Sequence, residues 1–409
     1  MKSSFDVLIV GGGMVGTALA CALGNSRLKI GLLDSRAPIT SPQSDYDLRV
    51  SAITLASRTL FKNLGAWEAM LRVRVSPVEA MRVWEDEGEI HFDAAEIGEP
   101  CLAYIVENRV IQSALVERLH EFTNVHCLWQ IEIESIALGD AAATVTLKDG
   151  RSLEARLLVG ADGAESAVRR AAGIECRQLD LKQKGIVATV RTENPHERTA
   201  RQRFLPTGPL AFLPLLEPSA CSIVWSADTA RADALMALDD ATFIAELEAA
   251  FGDRLGRVLS VSRRQTFALA LAHARVYTAP RLALVGDAAH VVHPLAGQGV
   301  NLGLLDAAAL AERVLDAAMR GRDVGAHSWL RRYERARKGE NLGMIAITGG
   351  FKYLFGHSWP PVRALRNIGL GMTDAVAPLK RMIMRRASGL VGDLPALVQA
   401  RTDRAFSDA

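Results

Sequence analysis

Two glycine-rich segments stand at opposite ends of this chain, "VGGGMVG" at residues 10–16 and "GDAAHVVHPLAGQGVNLG" at residues 286–303. Each is the kind of turn that brings backbone N–H groups up to a ligand. One nucleotide-binding unit needs one such turn. Two of them, so far apart, call for a chain that leaves its first strand, builds something else, and returns.

Around the first segment the pattern is β-α-β. "FDVLIV" (5–10) reads as a short buried strand, "MVGTALACALG" as a helix ending at Gly24, and "LKIGLLD" (28–34) as a second strand. In Gly11-x-Gly13-x-x-Gly16, Gly11 permits the tight turn and Gly13 lets the backbone approach a pyrophosphate. Gly16 lets helix and strand pack closely. The helix N-terminus adds N–H donors and positive potential. Asp34, at the end of the second strand, can accept from an adenosine ribose. Strand, helix and acid together predict a dinucleotide site rather than a bare turn, with FAD and NAD both open at this point.

Strands are further expected at 143–147 and 155–160, and a helix at 108–122. From about 176 to 268 the texture changes: "GIVATVRT", "RQRFL", "LAFLPL" and "CSIVWSA" suggest a mostly antiparallel sheet, followed by a helix near "DATFIAELEAAF". "RLALVGD" (281–287) returns to a buried strand and 299–319 to a long helix. One nucleotide-binding core interrupted by a second sheet is the architecture this order predicts.

The bulk numbers agree. A chain of 409 residues with 49% apolar and 23% charged content is a globular protein with room for two or three domains, not a disordered one. A net charge of +2 makes no case for nucleic acid. The five cysteines are scattered, odd in number and never in a C-x-x-C pair, which argues against zinc and a disulfide framework and for a reducing cytosol. No signal peptide is expected, and no run reaches the ~18 apolar residues that a membrane span needs.

"VGADGAESAVRR" (159–170) ends another strand. Asp162-Gly163 turns the chain, and Ser166, Arg169 and Arg170 follow at a helical start. Either this is an Asp-Gly turn with a solvated basic helix, or it is a second line of contact to a cofactor, with the arginines available to an anionic reductant. Arg49, in "DLRVSAI", needs an anionic partner, whether a cofactor or a nearby carboxylate. In the late segment, Asp287 follows Gly286 where it can accept from a hydroxylated chain. Gly297, Gly299 and the N–H groups of Val300 and Asn301 form a helix-start site. NAD needs one clamp. FAD is longer, and the two segments can hold its opposite ends. His290 and His293, with no cysteine or third ligand nearby, are poor metal candidates. His290 reads as a buried packing residue.

The three motifs "GGGMVG", "GADGAESAVRR" and "GDAAHVVHPLAGQGVNLG", in this order and spacing, resemble the single-component flavin aromatic hydroxylases of the p-hydroxybenzoate hydroxylase type. "DLRVSAIT", "YIVENRVIQSAL", "AFLPL…CSIVWS" and "HPLAGQGVNLG" are more specifically similar to the ubiquinone-biosynthesis FAD-dependent hydroxylases, over essentially residues 5–400. The resemblance implies an α/β fold in which a Rossmann-like FAD-binding domain (1–70, 100–175 and 269–340) is interrupted by a mostly antiparallel β-sheet substrate domain (71–99 and 176–268). A helical C-terminal region (341–409) follows.

The same resemblance implies that Gly11, Gly13, Gly16 and Asp34 bind the ADP half, with Arg49, Asn108 and Asp162 along the pyrophosphate and adenosine side. Asp287 would bind the ribitol within the Gly286, Gly297 and Gly299 turns, and the Val300 and Asn301 amides would face the flavin pyrimidine ring. Pro294 would sit at the reactive edge, with His293 beside it. The family chemistry is a flavin C4a-hydroperoxide, formed with O2 and NAD(P)H, that hydroxylates an electron-rich phenolic ring. NAD(P)H would bind transiently, since no second strand-linked G-x-G-x-x-G is present. The implied substrate is a polyprenylated phenol, held against "FLPTGPLAFLPL" (204–215), and the implied partner a ubiquinone-biosynthesis protein assembly. "RNIGL…GLVGDLPAL" is similar to the branch acting at ring position C5 of a 2-polyprenylphenol, and "FDAAE" and "PLKR" to the C6 branch; both stay open. So do a same-fold hydroxylase of another aromatic, a polyprenyl reductase, and a non-catalytic FAD-holding scaffold.

The tail differs in charge: residues 351–409 hold nine Lys/Arg against four Asp/Glu. Val362, Leu365, Gly369, Met372 and Val376 share a helical face beside Arg363, Arg366 and Asn367. After Pro378, "LKRMIMRR" repeats the pattern with Leu379, Met382 and Ile383. Such helices either pack on the core or lie on an anionic bilayer. The expected location is cytoplasmic, peripheral on the inner face of the cytoplasmic membrane.

Overall fold

The structure is a computed structural model that describes residues 2–39, 45–85, 88–293, 299–356 and 376–399. Lys2–Val10 is the centre of an eight-stranded sheet. It pairs in parallel with Ile30–Asp34 on one side and Ser152–Gly160 on the other. Val125–Trp129 extends the sheet beyond Ile30–Asp34, and Leu282–Leu284 extends it beyond Ser152–Gly160, both in parallel. These strands read as continuous apolar runs because both faces are covered: Val7, Leu8, Ile9, Leu157, Leu158 and Val159 are fully buried.

This topology answers the spacing of the two glycine segments. Parallel strands end on one side, so the turns after Val10, after Gly160 and after Leu284 all emerge along the same edge of the sheet. Ligands of open α/β sheets bind at that edge. The helices that follow the first and last turns, Met14–Ala22 and Gly299–Met319, pack against each other.

A nine-stranded sheet forms the second layer, running from His290–Val291 through Gln265–Ala274, Cys176–Thr192, Ala220–Asp228, Gly208–Pro214, Thr199–Leu205 and Ala80–Glu85 to Gly88–Asp93. Its pairings are antiparallel except that of Thr199–Leu205 with Ala80–Glu85. One face lies under the helices Thr229–Met236 and Asp240–Phe251, where Phe243, Leu247 and Phe251 pack on Leu210, Phe212, Ile223 and Trp225. The other face looks toward the first sheet. His290–Val291 pairs with Gln265–Ala274, so the late loop is stitched to both layers.

The helices expected at 299–319 and 240–251 and the strand at 143–147 have those bounds. The stretch 71–99 divides differently: Ser76–Val78 joins a three-stranded sheet with Val50–Thr54 and Ala103–Glu107, and only the strands from Ala80 onward enter the second layer. Among the described residues, no helix is long and apolar enough to cross a membrane.

Candidate active site

One cavity of about 1140 Å³ runs from the first glycine turn to the open face of the second sheet. That exceeds the ~300–1,000 Å³ of an ordinary small-molecule site. Val10, Gly11, Gly13, Asp34, Arg49, Asn108, Asp162, Asp287, Gly299 and Val300 line one part of it. Three turns distant in sequence therefore share one space.

The glycines divide by role. Gly11 has φ +110°, and a Cβ there would lie 2.2 Å from the Ala161 carbonyl oxygen. At Gly16 a Cβ would lie 1.9 Å from the Gly11 oxygen, so this glycine serves helix–strand packing. At Gly13 a Cβ would meet nothing within 4 Å. Nothing in the protein fills that space, which is the property a pyrophosphate cradle needs. Gly286 takes φ +59° and donates its N–H to Asp306 Oδ2 at 3.2 Å.

Asp34 is nearly buried. It accepts from Gly12 N (2.7 Å) and Arg36 N (2.8 Å), so the acid first shapes the turn and offers its remaining acceptor capacity to the cavity. Asp287 differs. Its carboxylate opens into the cavity and has no hydrogen-bond partner among the described residues. Surrounding protein pushes its pKa up, against the pull of His290 and Arg49. An unpartnered acceptor open to the cavity beside the Gly13 cradle fits a hydroxylated chain such as ribitol. The residues present thus fit FAD at both ends.

Several expected site residues take other places. Arg49 is exposed rather than buried, and its guanidinium lies 5.5 Å from the Phe267 ring centroid, near enough to lower Asp287. It therefore stands close enough to feel the Asp287 charge, in the same cavity as Gly11, Gly13 and Asn108. The reason is local: Asn301 accepts from Thr54 N (3.1 Å) and donates to Ala52 O (2.7 Å), which holds the strand after Arg49 against the late helix. The Asn301 side chain is thus a tether, while Val300 lines the cavity. Asn108 lines it too and accepts from Ser51 Oγ at 2.7 Å.

The Asp162 carboxylate accepts from Ser166 Oγ (2.5 Å), Ala167 N (2.7 Å) and Val168 N (3.1 Å). It caps the short helix, and the turn meets the cavity along its backbone edge. The basic pair splits. Arg169 is buried and donates to Ala288 O (2.8 Å) and Ala164 O (2.6 Å), so it joins two turns and is closed to a passing reductant. Arg170 is exposed. His293 is buried and is not among the cavity's described walls. Pro294 and Gly297 lie outside the described residues.

Sequence reasoning missed Asp306. It is fully buried and joins His290, Arg337, Asn341 and the Gly286 N–H. The signal was a lone acid in the apolar run "LGLLDAAALA". Among the described residues, no group of three His, Cys, Asp or Glu side chains is placed to hold a metal ion.

Comparison with known proteins bears on this arrangement. Residues 4–342 match the FAD binding domain family. The ubiquinone hydroxylase UbiL of Rhodospirillum rubrum is 41% identical, over 94% of this chain and 89% of its own. The 3-demethoxyubiquinol 3-hydroxylase of Escherichia coli is 38% identical, over 94% and 98% respectively. The mitochondrial ubiquinone biosynthesis monooxygenase COQ6 of Homo sapiens is 36% identical, over 94% and 92%. Among solved structures, p-nitrophenol 4-monooxygenase of Pseudomonas putida shares the fold, with TM-score 0.78, 22% identity and coverage of 96% of this chain and 100% of that one. A cavity built for a two-ended cofactor and these relationships lead to one conclusion: the chain belongs to the FAD-binding domain family and, within it, to the ubiquinone-biosynthesis FAD-dependent hydroxylases.

Proposed function

We propose that the protein hydroxylates the aromatic ring of a polyprenylated phenol on the way to ubiquinone, with O2 and NAD(P)H as co-substrates. The balance is ring–H + O2 + NAD(P)H + H⁺ giving ring–OH + H2O + NAD(P)⁺. FAD, when bound, supplies the electron transfer from nicotinamide and the activation of O2. The chain's own part is to bind and orient. Gly13 leaves room for the pyrophosphate, Asp287 accepts from the ribitol, and the sheet face excludes water.

The observation that carries this reading is the continuity of the cavity. The cradle at Gly13 and the acceptor Asp287 open into the same space as Val187, Pro209, Ala211, Leu213 and Val224. An apolar wall there suits a ring with a prenyl tail and limits the futile release of H2O2. The test is NAD(P)H and O2 consumption by the FAD-loaded protein with and without a 2-polyprenylphenol, with the product identified by mass. Stimulation and a product heavier by one oxygen are expected. Consumption that ignores every prenylated phenol overturns the reading and favours a scaffold that keeps FAD for structure. Complementation of strains lacking each ring hydroxylase assigns the position.

We also propose that the C-terminal region rests on an anionic membrane surface, from which such a substrate is drawn. The helix Ala377–Ala387 docks through buried Met384 and through Lys380, which pairs with Glu96 at 2.8 Å. Leu379, Met382 and Ile383 remain exposed beside Arg381, Arg385 and Arg386. That outward face combines apolar and basic groups as a bilayer surface requires. The companion stripe from Val362 to Met372 lies outside the described residues. A ubiquinone-biosynthesis protein assembly is the partner this face would serve if lipid does not hold it.

A further inference from the structure

The cavity's sheet wall is built by strict alternation, and one residue on it does not belong with its neighbours. Along Gly208–Pro214, Leu210 and Phe212 point under the helices, while Pro209, Ala211 and Leu213 face the cavity. Opposite Ala211 stands Val224 on one side and Gln202 on the other, so both share the cavity face. The arginines flanking Gln202 turn away: Arg201 donates to His196 O (2.8 Å) and Arg203 to Ala250 O (2.9 Å).

Gln202 is 6% exposed and lines the cavity, yet its carboxamide has no hydrogen-bond partner among the described residues. Its oxygen and nitrogen are not among the enclosed side-chain atoms that lack a partner, so the carboxamide is open to the cavity, free to meet a ligand's polar atom there. An unpaired carboxamide in an apolar wall is a site waiting for a polar atom. Ser226 shares this face, but it lies two strands away, about 10 Å at the usual strand spacing, and its hydroxyl stays close to its own strand.

We infer that Gln202 orients the substrate by hydrogen-bonding an oxygen substituent on its aromatic ring; this rests on the ring-hydroxylation reading above. The carboxamide oxygen accepts from a phenol O–H, and its NH2 donates to a neighbouring ring oxygen. A prenyl chain cannot hold a ring in one rotation about its own attachment. One polar contact can, and it thereby selects which carbon is presented. Gln202 moves no proton in the reaction; it binds and positions.

The experiment compares wild type with Gln202→Leu, both loaded with FAD. The probes are a phenol carrying a short prenyl tail and the matching ether in which the ring hydroxyl is methylated. Binding is read by flavin fluorescence, and turnover by product formed per NAD(P)H consumed. Wild type is expected to bind the phenol roughly tenfold more tightly than the ether, and Gln202→Leu to bind the two alike. Product per NAD(P)H should fall in the variant. If Gln202→Leu keeps both the discrimination and the product yield, the assignment is wrong while the ring-hydroxylation reading stands. If wild type neither binds nor hydroxylates a prenylated phenol, the functional reading falls and this inference with it.

Discussion

His290 Nε2 lies 2.5 Å from Asp306 Oδ2 in a fully buried pair, and the same carboxylate holds Arg337 Nε at 2.9 Å. Burial alone would raise the Asp306 pKa; the charges of His290 and Arg337 and their hydrogen bonds overcome it and hold the value down at about 2. The Gly286 N–H donates to this carboxylate too, so the turn that carries Asp287 hangs from it. Asp306→Ala should cost about 3–5 kcal/mol, because it strands a buried guanidinium. Denaturant unfolding checks this.

The depressed Asp306 pKa also sets a pH window. A carboxyl held lower in the folded protein than its ordinary 3.8 adds stability above that value. The contribution, about 2 kcal/mol, is lost as pH falls from about 4 toward 2. Acid unfolding of Asp306→Asn should lack this component; an acid limb like that of wild type would refute it.

Asp287 should show the opposite balance. With its pKa raised by the protein around it though its side chain is open to the cavity, the ionised carboxylate weighs a little on the cofactor-free protein, and stability falls slightly as pH rises past the ordinary carboxyl range. Asp287→Asn should therefore raise the cofactor-free Tm at neutral pH. It should weaken FAD binding by about 1.5–3 kcal/mol, the loss of a charged acceptor. Full FAD occupancy in the variant at limiting FAD would rule out the two-ended clamp.

Neighbouring glycines separate folding from binding. Gly13→Ala adds a methyl to open space, so Tm without cofactor should hold while FAD affinity drops. Gly11→Ala meets the Ala161 carbonyl at an unfavourable φ and should lower the Tm itself. Paired melting and FAD titration of both variants decide the matter.

Arg169→Ala should lose stability and FAD content together, since it leaves the Ala288 and Ala164 carbonyls unpaired, at about 1–3 kcal/mol. Arg170→Ala should keep both. If it also slows flavin reduction by NAD(P)H, the exposed member of the pair serves the reductant; stopped-flow reduction reports this.

Met382→Glu with Ile383→Glu should weaken flotation with anionic liposomes and leave the Tm unchanged, because both side chains point outward. Equal flotation of the double variant would place any lipid contact elsewhere.

Much of this was legible locally. The 3.6-residue and two-residue periodicities bounded the helices at 240–251 and 299–319 and the strand at 143–147, because each depends on near neighbours in sequence. Glycine spacing located the cofactor turns for the same reason: a turn needs only its own backbone.

The uses of the charged residues were not legible, because their partners lie far along the chain. Arg169 bonds Ala288, Asn301 bonds Ala52, and Asp306 collects groups from one other helix, a short strand and a turn. Asp162 lines the cavity as expected, but its carboxylate also caps the short helix, a role its sequence context did not reveal. Sequence alone determined that two backbone clamps exist and what length of ligand they suit. Only the tertiary structure decided which polar groups face the ligand, because long-range pairing satisfies most of them and leaves Asp287 and Gln202 open to the cavity.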